Sequence, residues 1–193
     1  MNLDILYVIA YSYLLGSIPF GLIITKFFLG KDIRNIGSGN IGTTNVLRTG
    51  KKSLAAATLL FDVLKGYVSI LIAYKYFNEL IYLSALICFI GHIFPVWLKF
   101  KGGKGVATYL GVILGISFTL GLIFSVAWII IAIIFRYSSL SSILGSMIVC
   151  IFSIYTSNEI QTYFLFIIFV IIVFTHKENI IRLKSSKESK IKL

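Results

Sequence analysis

The chain has 193 residues, 58% of them hydrophobic, with a mean hydropathy of +0.96, far more apolar than a soluble domain of this length needs to fill a core. That excludes an ordinary soluble enzyme and indicates a polytopic membrane protein. A net charge of +11 would suit nucleic acid, but the Lys and Arg residues occupy short loops between apolar runs, which points to membrane topology and anionic lipid instead.

The first apolar run, from Leu3 to Phe28, has no cation before it, carries Asp4 and is too long for a signal-peptide core, so it is expected to stay as a first transmembrane helix. The loop that follows, Leu29 to Lys52, has 24 residues with five glycines and five cations against one acid, Asp32. Long loops of that kind are functional or disordered. Gly37-Ser38-Gly39-Asn40-Ile41-Gly42 matches G-x-G-x-x-G, yet it follows a lipid span and lacks a βαβ unit, so a dinucleotide site is rejected. What remains is anion chemistry. Glycines let backbone amides approach an oxyanion, Ser38, Asn40, Thr43, Thr44 and Asn45 add neutral donors, and Arg48 offers a bidentate fork.

The second run, Ser53 to Phe77, holds Asp62 and Lys65 three residues apart, readable as an intrahelical ion pair at a depth where ionised groups are costly. The third, Leu80 to Leu98, contains Cys88 and His92. Cys88 and Cys150 both lie in apolar runs, so neither a disulfide nor a metal site is expected. Lys99 to Gly105 then packs three Lys and three Gly into seven residues. This loop stands directly before an apolar helix, whose N-terminus adds partial positive charge. Lys104, between Gly103 and Gly105, is the candidate for direct phosphate contact, with Gly102 and Gly103 beside it.

The fourth run, Val106 to Phe135, would form a helix of about 45 Å, too long for a ~30 Å hydrocarbon core and too short for two ordinary spans. Lys26, Lys31, Arg34, Arg48, Lys51, Lys52, Lys99, Lys101, Lys104, Arg136 and the six tail cations share one side only if this run folds back. A break near Gly115-Ile116-Ser117 is predicted, leaving a short half-helix from Val106 to Leu114. Runs at Leu140 to Tyr155 and Ile160 to Thr175 complete the pattern. The expected fold is all-α: an integral membrane protein of about seven segments including the half-helix, with the N-terminus outside and the C-terminus cytoplasmic. No internal repeat or linker is evident, so residues 1–193 form one domain, with residues 176–193 as a basic cytoplasmic tail.

At the last apolar end stand His176 and, three residues on, Asn179, on one face if that segment is helical. His176 has the stronger functional claim of the two histidines. The chain has no H-x-x-x-x-D box, since Trp97 and Ile181 follow each His by five positions. It also has no G-x-S-x-G elbow, so an acyl-enzyme on serine is not supported.

Taken together, Gly16-Ser17-Ile18-Pro19-Phe20-Gly21, the stretch from Asp32 through Gly37-Ser38-Gly39-Asn40, Thr44-Asn45 and Arg48, then Gly91-His92 with Phe94-Pro95, Phe100-Lys101-Gly102-Gly103-Lys104-Gly105, and His176 with Asn179, Arg182 and Leu183 resemble the bacterial acyl-phosphate-dependent glycerol-3-phosphate acyltransferases. The resemblance implies acyl transfer from acyl phosphate to the 1-hydroxyl of sn-glycerol 3-phosphate at the bacterial inner membrane, with the site facing the cytoplasm. It implies no cofactor, no metal, no acyl carrier protein and no coenzyme A. It assigns Ser38, Arg48 and Lys104 to phosphate recognition, Asn40 and Thr44 to the pocket, and His176 with Asn179 to the reacting groups. Gly39, Asn45, Gly102 and Gly103 complete the expected substrate-binding set, and Ser38, His176 and Asn179 the catalytic one. Thr43 stands where the family commonly has Ala. Lys184, Ser185, Ser186 and Lys187 replace a tail that usually reads Leu-x-Gly-x before Glu188. The rival readings are a transporter of a phosphorylated solute, weakened by the lack of repeats, and a scaffold for anionic lipid.

Overall fold

The computed structural model describes residues 3–156 and 158–191, and every regular element among them is helical. The chain forms two compact units, Met1–Ile116 and Ser117–Leu193.

In the first unit, the opening apolar run is two helices and not one, α1 (Leu3–Ser17) and α2 (Phe20–Leu29). Pro19 supplies no N–H and biases Ile18 away from helical dihedrals, which breaks the run between them. A short α3 (Thr43–Leu47) precedes α4 (Lys52–Tyr76), whose 25 residues are ample for a span. Next come α5 (Ile81–Ile93), which stops short of Pro95, and α6 (Val106–Ile116). The helices pair as α1 on α5 and α4 on α6. The second pairing depends on Gly111, where a Cβ would overlap the Val63 carbonyl. In lipid such close backbone approach, rather than a hydrophobic drive, holds helices together. Buried hydroxyls add to it: Ser84 Oγ lies 2.9 Å from both Ser12 Oγ and Ser69 Oγ, and 3.0 Å from Tyr11 Oη.

The second unit begins at the expected break. Helix α6 ends at Ile116, two residues past the expected Leu114, and α7 (Phe118–Phe135) starts after Ser117, whose backbone is extended at φ −154° and ψ 116°. Helices α8 (Ser138–Thr156) and α9 (Glu159–Thr175) follow, and α10 (Lys177–Lys184) leaves α9 at an angle of 60°. Among the described residues five stretches are long and apolar enough to cross a bilayer, with α1 and α2 together as the first, or six if α9 and α10 count as one. The 11-residue α6 is too short to cross alone. The protein is an all-helical integral membrane protein.

Candidate active site

Three arrangements hold the candidate site residues, two of them loops in the first unit. The first loop opens on Asp32, which caps a 3₁₀ turn by accepting from Arg34 N at 2.9 Å. The Arg34 guanidinium also donates to both carboxylate oxygens, at 3.0 and 2.6 Å. These hydrogen bonds, side-chain first, hold the Asp32 pKa down to about 2.

Behind this turn the backbone passes through left-handed φ at Gly37 (58°) and Gly39 (71°), which only glycine adopts without strain. The reason lies in Asn45, which is 1% exposed. Its Nδ2 donates to Ile33 O at 3.0 Å, Ile36 O at 2.9 Å and Asn40 O at 2.7 Å, while its Oδ1 accepts from Ser38 N at 3.0 Å. A Cβ on Gly37 would press into Asn45 Oδ1 and the Arg48 side chain. Asn45, expected from sequence as a phosphate donor, thus has its amide engaged in building the loop. Asn40 is half-buried and accepts from Gly42 N at 2.9 Å. Ser38, Gly39, Thr44 and Arg48 are exposed. Underneath, Ile33, Ile41, Val46 and Ala55 form an apolar floor. A cavity of about 660 Å³ opens beside Arg48, lined also by Phe28, Leu29, Lys31, Ile36, Thr49 and Lys51.

The second loop is closed onto the end of α5. Gly102 N donates to Ile93 O at 3.0 Å and Gly103 N to His92 O at 3.1 Å. The two amides expected at a phosphate are therefore engaged with helix carbonyls, and these glycines serve packing. A Cβ on Gly102 would overlap the His92 carbonyl, and one on Gly103 the His92 ring. Lys104 follows them, half-buried, and α6 begins two residues later.

The same unit contains a cluster that sequence only half reveals. Lys65 and Asp62 form the anticipated ion pair at 2.7 Å, and Lys65 Nζ also reaches His92 Nδ1 at 2.8 Å. The i, i+3 spacing announces the first contact. Nothing announces the second, across 27 residues.

The third arrangement lies in the second unit, at the bend between α9 and α10. His176 is 2% exposed, and its Nδ1 is 2.8 Å from Ile172 O. A carbonyl only accepts, so Nδ1 carries the hydrogen and Nε2 is the basic nitrogen of the neutral ring. Asn179, three residues on, is 6% exposed and donates to Glu188 Oε1 at 2.6 Å. Glu188 further accepts from Ser139 Oγ and from Arg182 Nε, each at 2.7 Å. Partial burial alone would raise its carboxyl, but these three donors outweigh burial and keep the pKa below the ordinary value. Glu188, which sequence reasoning left without a role, joins Asn179, Ser139 and Arg182 through one carboxylate. Among the described residues no group of three or more His, Cys, Asp or Glu side chains is placed to hold a metal ion.

The family model described as glycerol-3-phosphate acyltransferase matches residues 6–186. Relatives of that name include one from Pelagibacter ubique (strain HTCC1062), 52% identical over 182 residues that cover 94% of this chain and 95% of the relative. Another, from Mesorhizobium japonicum, is 51% identical and covers 99% and 98% of the two chains. Among solved structures, PlsY (YgiH), an integral membrane glycerol 3-phosphate acyltransferase, superposes in its glycerol 3-phosphate form with a TM-score of 0.92 at 37% identity, over 98% of this chain and 96% of that one. Its lysophosphatidic acid form gives 0.88 at 36% identity, over 97% and 95%. With the glycine loops, the His176-Asn179 bend and a match over nearly the whole length, this chain belongs to the glycerol-3-phosphate acyltransferase family.

Proposed function

We propose that this protein transfers an acyl group from acyl phosphate to the 1-hydroxyl of sn-glycerol 3-phosphate, giving 1-acyl-sn-glycerol 3-phosphate and inorganic phosphate, as the first step of bacterial phospholipid synthesis. The observation that carries the reading is the first loop. Asn45 organises it from within, and Ser38, Gly39, Thr44 and Arg48 stand exposed around it as donors for a phosphoryl group. Family membership supports the acyl acceptor. PlsY, the structural relative, has a glycerol 3-phosphate form and a lysophosphatidic acid form, which are the acceptor and the product of this reaction.

Acyl phosphate is a mixed anhydride with a good leaving group, so no covalent nucleophile is required of the protein. The glycerol oxygen forms a bond to the acyl carbonyl carbon, the carbon–oxygen bond to phosphate breaks, and phosphate leaves with that electron pair. The hydroxyl proton passes to a substrate phosphate or to His176 Nε2. The protein's main task is electrostatic. Two anionic substrates repel each other in a partly dry site, and Arg48 and Lys104 supply the opposing charge. Ser38, Asn40 and Thr44 are assigned to phosphate contact, and Asn179 to the developing oxyanion. Neither metal, coenzyme A nor acyl carrier protein has a step in this scheme.

The distribution of cations supports a reading with both loops on the cytoplasmic side of the inner membrane. Single cysteines at Ser38 and Lys104 should both be labelled only by a reagent that reaches the cytoplasmic face. Labelling from opposite sides rules out a shared site. In liposomes, labelled glycerol 3-phosphate should be converted to lysophosphatidate in the presence of palmitoyl phosphate. Counterflow of unchanged glycerol 3-phosphate would support a transporter instead.

A further inference from the structure

Asp62, Lys65 and His92 take no part in the reaction as derived above, yet they are buried together at 2%, 4% and 4% exposure. Lys65 lies thirteen residues into α4 (65 − 52), about 20 Å along its axis at ~1.5 Å per residue, within a helix long and apolar enough to span. An ionised side chain there is costly and persists only with partners. Lys65 Nζ pairs with Asp62 Oδ1 at 2.7 Å, donates to Ile18 O at 2.8 Å and to His92 Nδ1 at 2.8 Å, and sits 5.7 Å from the centre of the Phe20 ring. An ammonium has no lone pair, so it donates to Nδ1, and the hydrogen of the neutral His92 ring is on Nε2.

Two of these partners lead to the two phosphate loops. Ile18 is the residue at the α1–α2 break, and α2 then runs against the first loop, with Gly21 so close to Ile41 that a Cβ would overlap the Ile41 carbonyl. His92, in the last turn of α5, holds Gly103 N through its carbonyl at 3.1 Å, and lays its ring where a Cβ on Gly103 would be, one residue before Lys104. We propose that Lys65, countered by Asp62, is a positioning residue that fixes both basic loops of the first unit through Ile18 and His92, and so sets the affinity for glycerol 3-phosphate. A pair serving only packing would need Asp62 alone and leaves the Ile18 and His92 contacts unexplained. The proposal rests on the acyltransferase reading above.

The test uses the purified full-length protein, with glycerol 3-phosphate affinity measured by calorimetry, KM and kcat measured with palmitoyl phosphate, and unfolding followed in parallel. Lys65→Met removes the charge, His92→Leu removes the acceptor, and His92→Asn puts an amide oxygen near the Nδ1 position. Lys65→Met and His92→Leu should each raise Kd and KM for glycerol 3-phosphate by about tenfold or more, with a smaller change in kcat. His92→Asn should recover the affinity to within about threefold of wild type. Wild-type Kd in folded Lys65→Met or His92→Leu, or less folded protein with an unchanged Kd in what folds, overturns the proposal. If Lys65→Met does not fold, the two His92 variants decide. A wild-type protein that binds glycerol 3-phosphate but forms no lysophosphatidate overturns the reaction reading instead, and the variant affinities still decide this one.

Discussion

Asn179 donates its Nδ2 hydrogen to Glu188 Oε1 at 2.6 Å, and the same carboxylate takes Arg182 on its other oxygen at 2.7 Å. A single tail residue thereby sets the orientation of an amide assigned to the chemistry. Replacing Glu188 by Ala strands Asn179, Ser139 and Arg182 donors together, and should cost about 1.5–3 kcal/mol of stability. Thermal unfolding in detergent, beside kcat, measures it.

The same contact makes stability depend on pH. The Glu188 carboxyl titrates below its unfolded value of about 4.5, so its contribution is complete above that value and is lost as pH falls through the window beneath it. Wild-type melting temperature should therefore drop more steeply than that of Glu188→Gln as pH falls below about 4.5. Parallel slopes in the two proteins would show that the carboxylate is not stabilising.

Ser186 adopts φ 56° in the turn that brings Glu188 back, with Ser186 N bonded to Leu183 O at 3.1 Å and Lys187 N to Arg182 O at 2.8 Å. This is a Schellman cap, and a side chain at its left-handed position carries strain. Ser186→Gly should stabilise the protein by about 1 kcal/mol, seen as a higher melting temperature with unchanged kcat.

Asn45→Ala removes four hydrogen bonds from inside the first loop and leaves buried carbonyls without donors. The expected cost is about 1–3 kcal/mol per stranded group, read as weaker glycerol 3-phosphate binding with the membrane helices still folded. Asn45→Asp keeps the acceptor for Ser38 N but loses every donor, so it should not rescue.

Much of this was legible beforehand. Excess apolarity gave the membrane class, and the excess length of the long run called for a break, which stands at Ser117, because length against bilayer thickness is a local quantity. The glycine loops were legible as tight basic turns, but the internal roles of their residues were not. Composition cannot tell an amide that faces a ligand from one engaged within the loop, which is why Asn45, Gly102 and Gly103 were read as ligand donors. The α1–α2 break escaped because a single Pro inside an apolar run is tolerated in many membrane helices. His92–Lys65 and Glu188–Asn179 are tertiary contacts, and neither spacing nor periodicity encodes them.

His176 Nδ1 is committed to Ile172 O, so proton transfer through this ring would use Nε2. If histidine is the base, His176→Ala should lower kcat by about 10²–10⁴ and remove the acidic limb of its pH profile. A retained rate with an unaltered profile assigns the proton to a substrate phosphate.

The most direct test is to give the purified protein palmitoyl phosphate and glycerol 3-phosphate and to quantify both products. Inorganic phosphate and 1-palmitoyl-glycerol 3-phosphate should appear in equal amounts, without metal or coenzyme A. Acylation with palmitoyl-CoA but none with palmitoyl phosphate would contradict the account.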